Sequence, residues 1–251
     1  NQRRWSRDEI ASWLQEISAN RRVLAGIDFA FAYPIYDMEG AYCGYFPEFD
    51  HNPQDAVSLW RLIEKINQTE PHLYGGAIWD HTDLGPYYNA PSGRRGAKFS
   101  SRRRQTEQVA KAIKSPSPTF NCVGPAGVGT GSLAGMRLLH HFADKAEIWP
   151  FDNHPAGSKK LTLVEIFPSY YFALAGIRAV GGNHGKLEVL NKALSYFGAQ
   201  GLAADFSAGG PDFDEADAAI SAAAIRTLAT DPAIREPFGV AALEGWIFGV
   251  K

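Results

Sequence analysis

The feature that most constrains this 251-residue chain is an apolar run that ends in a single carboxylate. Val23, Leu24, Ala25 and Ile27 predict a strand buried on both faces, which is typical of a sheet covered by helices. Asp28 follows directly. Aspartate is unfavourable in strands, and an unpaired carboxylate is costly to bury, so its position indicates a function at the end of this strand.

Two later segments also set acidic residues beside apolar sequence. Glu165 lies near the end of the predicted strand Leu161–Phe167, and Asp214 and Asp217 lie in the first turn of a helix predicted over Asp214–Leu228. Residues three apart share a helical face. Mg²⁺ and Mn²⁺ bind carboxylate oxygens, so three acidic positions from distant segments indicate a metal site. Two such ions activate water and stabilise the leaving oxygen of a phosphodiester.

Each acidic position also has a plainer interpretation. Glu165 would be an exposed residue of an edge strand, and Asp28 would cap the following turn. Asp214 and Asp217 would interact favourably with the helix dipole. A helix cap at Asp212, however, would leave Asp217 without a structural role.

Composition restricts the class of protein. The net charge of −2 gives no support for a strongly basic nucleic-acid-binding surface. Cys43 and Cys122 lack the spacing of metal ligands and suit a reducing cytoplasm. The sequence contains no apolar run near the ~20 residues of a membrane span and nothing that resembles a signal peptide. These features predict a cytoplasmic protein that does not associate with membranes.

The segment at about 35–120 is rich in aromatic residues, turns and basic side chains, and we interpret it as an insertion. Trp79, Tyr87 and Tyr88 are candidates for stacking on bases of a single strand. A solvated loop is the alternative for the basic run that follows. The candidate contacts to a phosphate backbone are Arg94, Arg95, Lys98, Arg102, Arg103 and Arg104.

A glycine-rich turn over Gly124–Ser132 leads into a predicted helix. Amide groups at a helix N-terminus bind anions, so Gly129, Thr130 and Ser132 are candidates for bounding a phosphate-binding cleft. The plainer interpretation is a turn followed by a helix that Ser132 caps. The turn is not a Walker A loop, because no lysine follows its last glycine.

The first helix is predicted from a capping box at Ser6 and Glu9. Trp5 is expected to pack on Ile10 as a hydrophobic staple. Ile10, Trp13, Leu14 and Ile17 are then expected to form the apolar stripe that faces the core.

Five blocks of the sequence together resemble a known family. They are Gly26–Pro34, Val128–Met136, Val164–Ser169, Asp214–Ala219 and Glu244–Gly249. In content and order they are similar to the signature blocks of an uncharacterised bacterial family of predicted ribonuclease-H-like nucleases. The resemblance spans nearly the whole chain. It implies one α/β domain over residues 1–251, with a mixed sheet flanked by helices, that hydrolyses phosphodiester bonds of DNA or RNA with Mg²⁺ or Mn²⁺.

The resemblance also implies roles for the acidic residues. Asp28 and Asp217 would be the principal metal ligands, while Glu165 and Asp214 would be supporting ligands or bases for metal-bound water. The family's fold opens with a three-stranded meander whose first strand carries a further acidic ligand. This chain starts at the following helix, so we expect either that these strands lie upstream or that the metal centre is incomplete.

Two other functions fit the same residues. A phosphotransferase or nucleotide-binding protein of the related actin-like group would use Asp28 as a base or Mg²⁺ partner and the glycine turn for phosphates. A non-catalytic binding domain would keep the fold and lack the metal centre.

Overall fold

A computed structural model gives the fold of the chain. Three parts of the sequence predictions lie outside the described residues: Pro125 and Ala126 of the glycine turn, and the helix cap at Asp212. The described residues are 5–91, 93–124, 127–151, 158–178, 183–206, 213–235 and 239–251.

The strands form one small parallel sheet. β1 (Val23–Ile27), β2 (Glu147–Ile148) and β3 (Leu161–Glu165) lie in the order β1-β3-β2, with β3 in the centre. Ile27 pairs with Glu165, so the carboxyl ends of β1 and β3 meet at one edge. The strands predicted at both places are confirmed. The mixed sheet is not observed, because every strand pair among the described residues is parallel.

Helices account for most of the regular structure, and the chain is mixed α/β as predicted. No helix in the described ranges is both long and apolar enough to cross a membrane. Short 3₁₀ turns lie at Pro71–Leu73, Gly76–Asp80, Gly85–Tyr87 and Asn183–Gly185. The α-helices of the described residues are α1 (Arg7–Ala19), α2 (Ala56–Asn67), α3 (Gln105–Ala110), α4 (Val128–Phe142), α5 (Pro168–Leu174), α6 (Leu187–Tyr196), α7 (Asp214–Leu228), α8 (Pro232–Arg235) and α9 (Ala241–Glu244).

The start of α1 follows from its local sequence. The Ser6 hydroxyl accepts the Glu9 amide hydrogen bond at 3.2 Å, and the Glu9 carboxylate accepts that of Ser6 at 2.8 Å. The predicted capping box is therefore confirmed. The predicted stripe is wrong at Trp13, however, because Leu14 is buried whereas Trp13 is 45% exposed.

The chain divides into two compact units. The first contains Asn1–Gln105, Ser117–Glu165 and Phe238–Trp246, and the second contains Thr106–Pro116, Ile166–Pro237 and Ile247–Lys251. The sheet lies in the first unit. The single domain predicted over residues 1–251 and its insertion at about 35–120 stay predictions.

An aromatic core holds the first unit together. Phe31, Tyr33, Trp60 and Phe120 are all buried. The Tyr33 and Phe120 rings stack with centroids 4.3 Å apart, and the Trp60 indole N–H donates to the Phe31 carbonyl at 2.7 Å. These contacts fix the loop that follows Asp28, because Phe31 and Tyr33 belong to that loop.

Packing in the second unit centres on α7. This helix packs against α5 and α6, and it buries Ala216, Ile220 and Ala224. The Thr227 hydroxyl donates to the Phe197 carbonyl at 2.6 Å, which anchors the end of α7 to the end of α6. The predicted bounds of α7 are confirmed.

Candidate functional site

Asp28 lies immediately after β1, at the carboxyl edge of the parallel sheet, and its side chain is exposed. In open α/β sheets this edge is where ligands bind. The position thus matches the sequence prediction of a carboxylate at a strand end.

The loop after Asp28 rests on the first half of α4. The Ala30 amide donates to the Ser132 hydroxyl at 3.1 Å, and that hydroxyl donates to the Val128 carbonyl at 3.0 Å. Gly135 lies against the Phe29 ring, where a β-carbon would come within 2.4 Å of ring atoms. The structure therefore brings together the loop that follows Asp28 and the glycine-rich helix, two features that the sequence analysis treated separately.

The glycine turn differs from its predicted chemistry. Gly127 is the N-cap of α4 and forms no side-chain cap, whereas Ser132 is buried within the helix, so the prediction that Ser132 caps it is wrong. The Gly129 amide donates to the Asn121 carbonyl at 2.9 Å, and the Thr130 hydroxyl donates to the Cys122 carbonyl at 3.3 Å. The polar groups of the three predicted residues therefore form hydrogen bonds within the protein and are not presented to an anion. These residues are Gly129, Thr130 and Ser132.

Glu165 is buried at the end of β3 in an ion pair with Arg104. The Arg104 guanidinium donates to both carboxylate oxygens, at 2.7 Å for Oε2, and the Phe31 amide donates to Oε2 at 3.0 Å. The two side chains are 1% and 4% exposed. A metal ion would have to displace the guanidinium, so these contacts do not fit a metal ligand.

Glu244 is a second buried carboxylate of the first unit, and the sequence analysis did not single it out. Its oxygens accept the amide hydrogen bonds of Ile35 at 2.8 Å and Gln105 at 2.6 Å. The pKa of Glu244 is raised above its ordinary value because burial outweighs the opposing effects of those amides and of the Arg104 charge. The signal in the sequence was an acidic residue beside the apolar residues of the closing block, Glu244–Gly249.

The basic run divides into exposed and buried members. Arg94 pairs with Asp80 at 2.7 Å and Lys98 with Glu48 at 3.1 Å, and both basic side chains are exposed. Arg95 is also exposed, and its guanidinium lies 4.9 Å from the centre of a phenylalanine ring. Arg94, Arg95 and Lys98 are therefore accessible to a phosphate backbone.

Arg102 and Arg104 do not fit contacts to nucleic acid, and we correct the prediction there. Arg102 is buried and donates to the carbonyls of Pro34 and Gly44, at 3.2 and 3.1 Å, and of Tyr45, at 2.6 Å. A buried guanidinium that is saturated by protein oxygens cannot approach a phosphate without unfolding its surroundings. Arg103, between them, is half-buried.

Two of the three aromatic residues predicted to stack on bases are also buried. Tyr87 and Tyr88 are buried, so the prediction that they stack on bases is wrong. The Tyr88 hydroxyl donates to the Tyr33 hydroxyl at 3.0 Å within the core. Trp79 is half-buried.

Asp214 and Asp217 lie in the first turn of α7, in the second unit, whereas Asp28 and Glu165 belong to the first. Asp214 is exposed and Asp217 half-buried. Burial, and to a smaller extent the charge of Asp214, raises the pKa of Asp217 to about 6. The Ser221 hydroxyl, one turn further along, is buried and has no hydrogen-bond partner among the described residues.

The raised pKa of Asp217 predicts a pH-dependent loss of stability. The folded state favours the protonated carboxyl of Asp217. Protonated Asp217 therefore does not lower the free energy of unfolding below the ordinary aspartate pKa of about 4, whereas ionised Asp217 lowers it fully once the pH has risen through about 6. Asp217→Asn should therefore stabilise the protein by about 1 kcal/mol at pH 7.5, a value reduced for partial exposure, and by nothing at pH 4. Urea unfolding at both pH values measures this, and an equal effect at the two would contradict it.

Within the ranges that the structure describes, no group of three or more His, Cys, Asp or Glu side chains is placed to hold a metal ion. Comparison with models of protein families, with curated proteins and with solved structures gave no match.

Proposed function

We propose that this protein is a ribonuclease-H-like, Mg²⁺- or Mn²⁺-dependent hydrolase of phosphodiester bonds in DNA or RNA. The observation that carries the proposal is the pair Asp214 and Asp217. Two carboxylates share the first turn of one helix, and the pKa of one is raised to about 6. Such a pair costs stability in the absence of a cation, and groups of this kind concentrate at functional sites.

The residues fit a divalent cation to different degrees. Mg²⁺ commonly takes one or two protein carboxylates and fills its other positions with water and substrate phosphate, so Asp214 and Asp217 are sufficient in number and type. The buried Ser221 hydroxyl offers an unused hydrogen-bonding group on the same face. Exposed Asp28 also has the right ligand chemistry. Glu165 does not fit, because Arg104 and the Phe31 amide engage its oxygens.

Each group of residues has a stated task under this proposal. Asp214 and Asp217 bind the cation, and exposed Arg94, Arg95 and Lys98 contact the phosphate backbone. A bound cation supplies an activated water molecule and stabilises the leaving oxygen. The protein would act in the cytoplasm, in keeping with Cys43 and Cys122, which are both free thiols.

Titration calorimetry of the full-length protein with Mn²⁺ and Mg²⁺ tests the proposal. Asp217→Asn should weaken binding at least about tenfold, which corresponds to one lost charge-assisted contact. Binding by the wild type should also weaken below pH 6, because protons compete for Asp217. Asp205→Asn is the control, since Asp205 is an exposed aspartate of the second unit.

The outcome that overturns the proposal is also clear. A folded, full-length wild type that binds neither cation, with or without a single-stranded oligonucleotide, has no metal centre. Unchanged cation binding in Asp217→Asn would remove the α7 pair from the ligands.

The exposed basic residues give a separate prediction about nucleic acid. The triple variant Arg94→Gln/Arg95→Gln/Lys98→Gln should weaken binding of a single-stranded oligonucleotide. It should also reduce the magnitude of the slope of log K against log salt concentration by about 2. Arg21→Gln/Arg22→Gln, which removes exposed charges from the same unit, is the control. Fluorescence anisotropy at several salt concentrations measures both, and an unchanged salt dependence in the triple variant would contradict the assignment.

A non-catalytic nucleic-acid-binding domain is the second candidate. The Arg104–Glu165 ion pair favours it, because it occupies a carboxylate that the resemblance assigns to the metal centre. This candidate predicts oligonucleotide binding that is independent of divalent cations and is not accompanied by cleavage.

A further inference from the structure

Two tryptophans are exposed at the start of the chain, Trp13 on α1 and Trp5 just before the N-cap of that helix. Trp5 is 52% exposed and Trp13 is 45% exposed. Their ring centroids are 5.9 Å apart and their planes meet at 77°, an edge-to-face pair. Large exposed aromatic surface is uncommon on soluble proteins and marks binding sites. The exposed pair is therefore a candidate binding surface and is not part of the core.

A groove of about 380 Å³ lies beside this pair. Its lining positions are spaced three or four residues apart, so they form one face of the helix and the residue that precedes its cap. Among the described residues, no basic side chain lines the groove, whereas three carboxylates do. The lining residues are Trp5, Asp8, Glu9, Ser12, Trp13 and Glu16.

The three carboxylates are not equivalent. Glu9 belongs to the capping box and accepts the Ser6 amide hydrogen bond. Asp8 lies 3.9 Å from His72 Nδ1, and both side chains are largely exposed. Glu16 is exposed one turn beyond Trp13. Negative charge therefore flanks the aromatic pair along the helix.

We propose that this groove binds a small organic cation that carries a methylated ammonium group. The face of tryptophan is the best aromatic partner for a cation, and aromatic surfaces recognise quaternary ammonium groups. The carboxylates supply the opposite charge, and the volume lies in the range of small-molecule sites. A neutral apolar ligand would not use the carboxylates, and a metal ion would not use the indoles. The inference is independent of the proposed hydrolase activity.

Choline is the probe that tests this inference, observed through the indole N–H signals of the six tryptophans in a ¹⁵N-labelled full-length protein. Choline should shift the signals of Trp5 and Trp13 saturably. Its uncharged carbon isostere, 3,3-dimethylbutan-1-ol, should bind at least about fivefold more weakly, because it lacks the cation–π attraction. Ammonium chloride at equal concentration controls for charge alone.

Variants of the groove then distinguish specific aromatic recognition of choline from non-specific binding. Trp13→Leu keeps an apolar side chain and should weaken choline binding at least about fivefold, whereas Trp13→Phe should retain part of it. Glu16→Gln should also weaken binding. Tyr196→Leu is the control, since Tyr196 is a 59% exposed aromatic residue of the second unit. Absence of saturable shifts, equal affinity for choline and the alcohol, or unchanged affinity in Trp13→Leu would each overturn the inference.

Discussion

Arg104→Met is expected to lower the free energy of unfolding by about 3–5 kcal/mol, the usual cost of leaving one member of a buried ion pair without its partner. Glu165 is buried, and the Arg104 guanidinium donates to both of its oxygens. The variant would keep most of the side-chain volume and remove the charge. Chemical denaturation followed by circular dichroism measures the effect.

Two further variants make this result specific. Arg104→Met/Glu165→Gln removes both charges and keeps an acceptor for the Phe31 amide, so it should recover at least half of the loss. Arg95→Met replaces an exposed arginine of the same basic run and should change stability by less than about 0.5 kcal/mol. If Arg104→Met unfolded like the wild type, Glu165 would not depend on this ion pair and its assignment as a metal ligand would reopen.

The second large effect is expected at Gly129, which lies in the first turn of α4. A β-carbon there would lie 2.6 Å from the Thr119 carbonyl oxygen, 2.9 Å from that of Asn121 and 2.7 Å from Cys122 Sγ. Two of these neighbours are backbone atoms that side-chain rotation cannot move. Gly129→Ala should therefore destabilise the protein by about 2–3 kcal/mol.

Gly131→Ala is the matched control, two residues further along the same helix. Nothing lies within 4 Å of a β-carbon at this position, so alanine should stabilise the helix by about 0.5–1 kcal/mol. Equal effects of the two substitutions would show that close packing is not the reason for glycine at 129. The opposite signs expected here would explain the glycine at position 129 by close packing, without an anion.

Local sequence predicted much of the secondary structure correctly. The capping box at Ser6 and Glu9 and the full length of α7 follow from interactions between residues three or four positions apart. The Val23–Ile27 strand follows from an apolar run of strand length. In each case the determining pattern lies within the element itself, so no long-range contact was needed to recognise it.

The fate of the basic run could not be predicted in this way. Six basic side chains look alike in the sequence, yet Arg104 is buried because a carboxylate 61 residues away meets it. Arg102 is likewise buried by carbonyls from a distant loop. Trp13 shows the converse, since its apolar character suggested the core and the structure exposes it.

The candidate site was predicted in part. The position of Asp28 at a strand end and of Asp214 and Asp217 in a helical first turn agrees with the sequence analysis. Glu165 was not predicted correctly, since it is buried in an ion pair with Arg104. The alternation of residues along a strand indicates which face a side chain occupies, but it does not indicate which charged partner that side chain will contact. The depth of burial that raises the pKa of Asp217 is also a property of the packed unit rather than of its local sequence.

The most direct test of the proposed function is a cleavage assay with labelled single-stranded and branched DNA and RNA, using the full-length protein with Mg²⁺, Mn²⁺ or EDTA. The account predicts cleavage that requires a divalent cation and is lost in Asp217→Asn, with Asp205→Asn unaffected. Cation-dependent binding without cleavage of any substrate, or cleavage that survives Asp217→Asn, would contradict it.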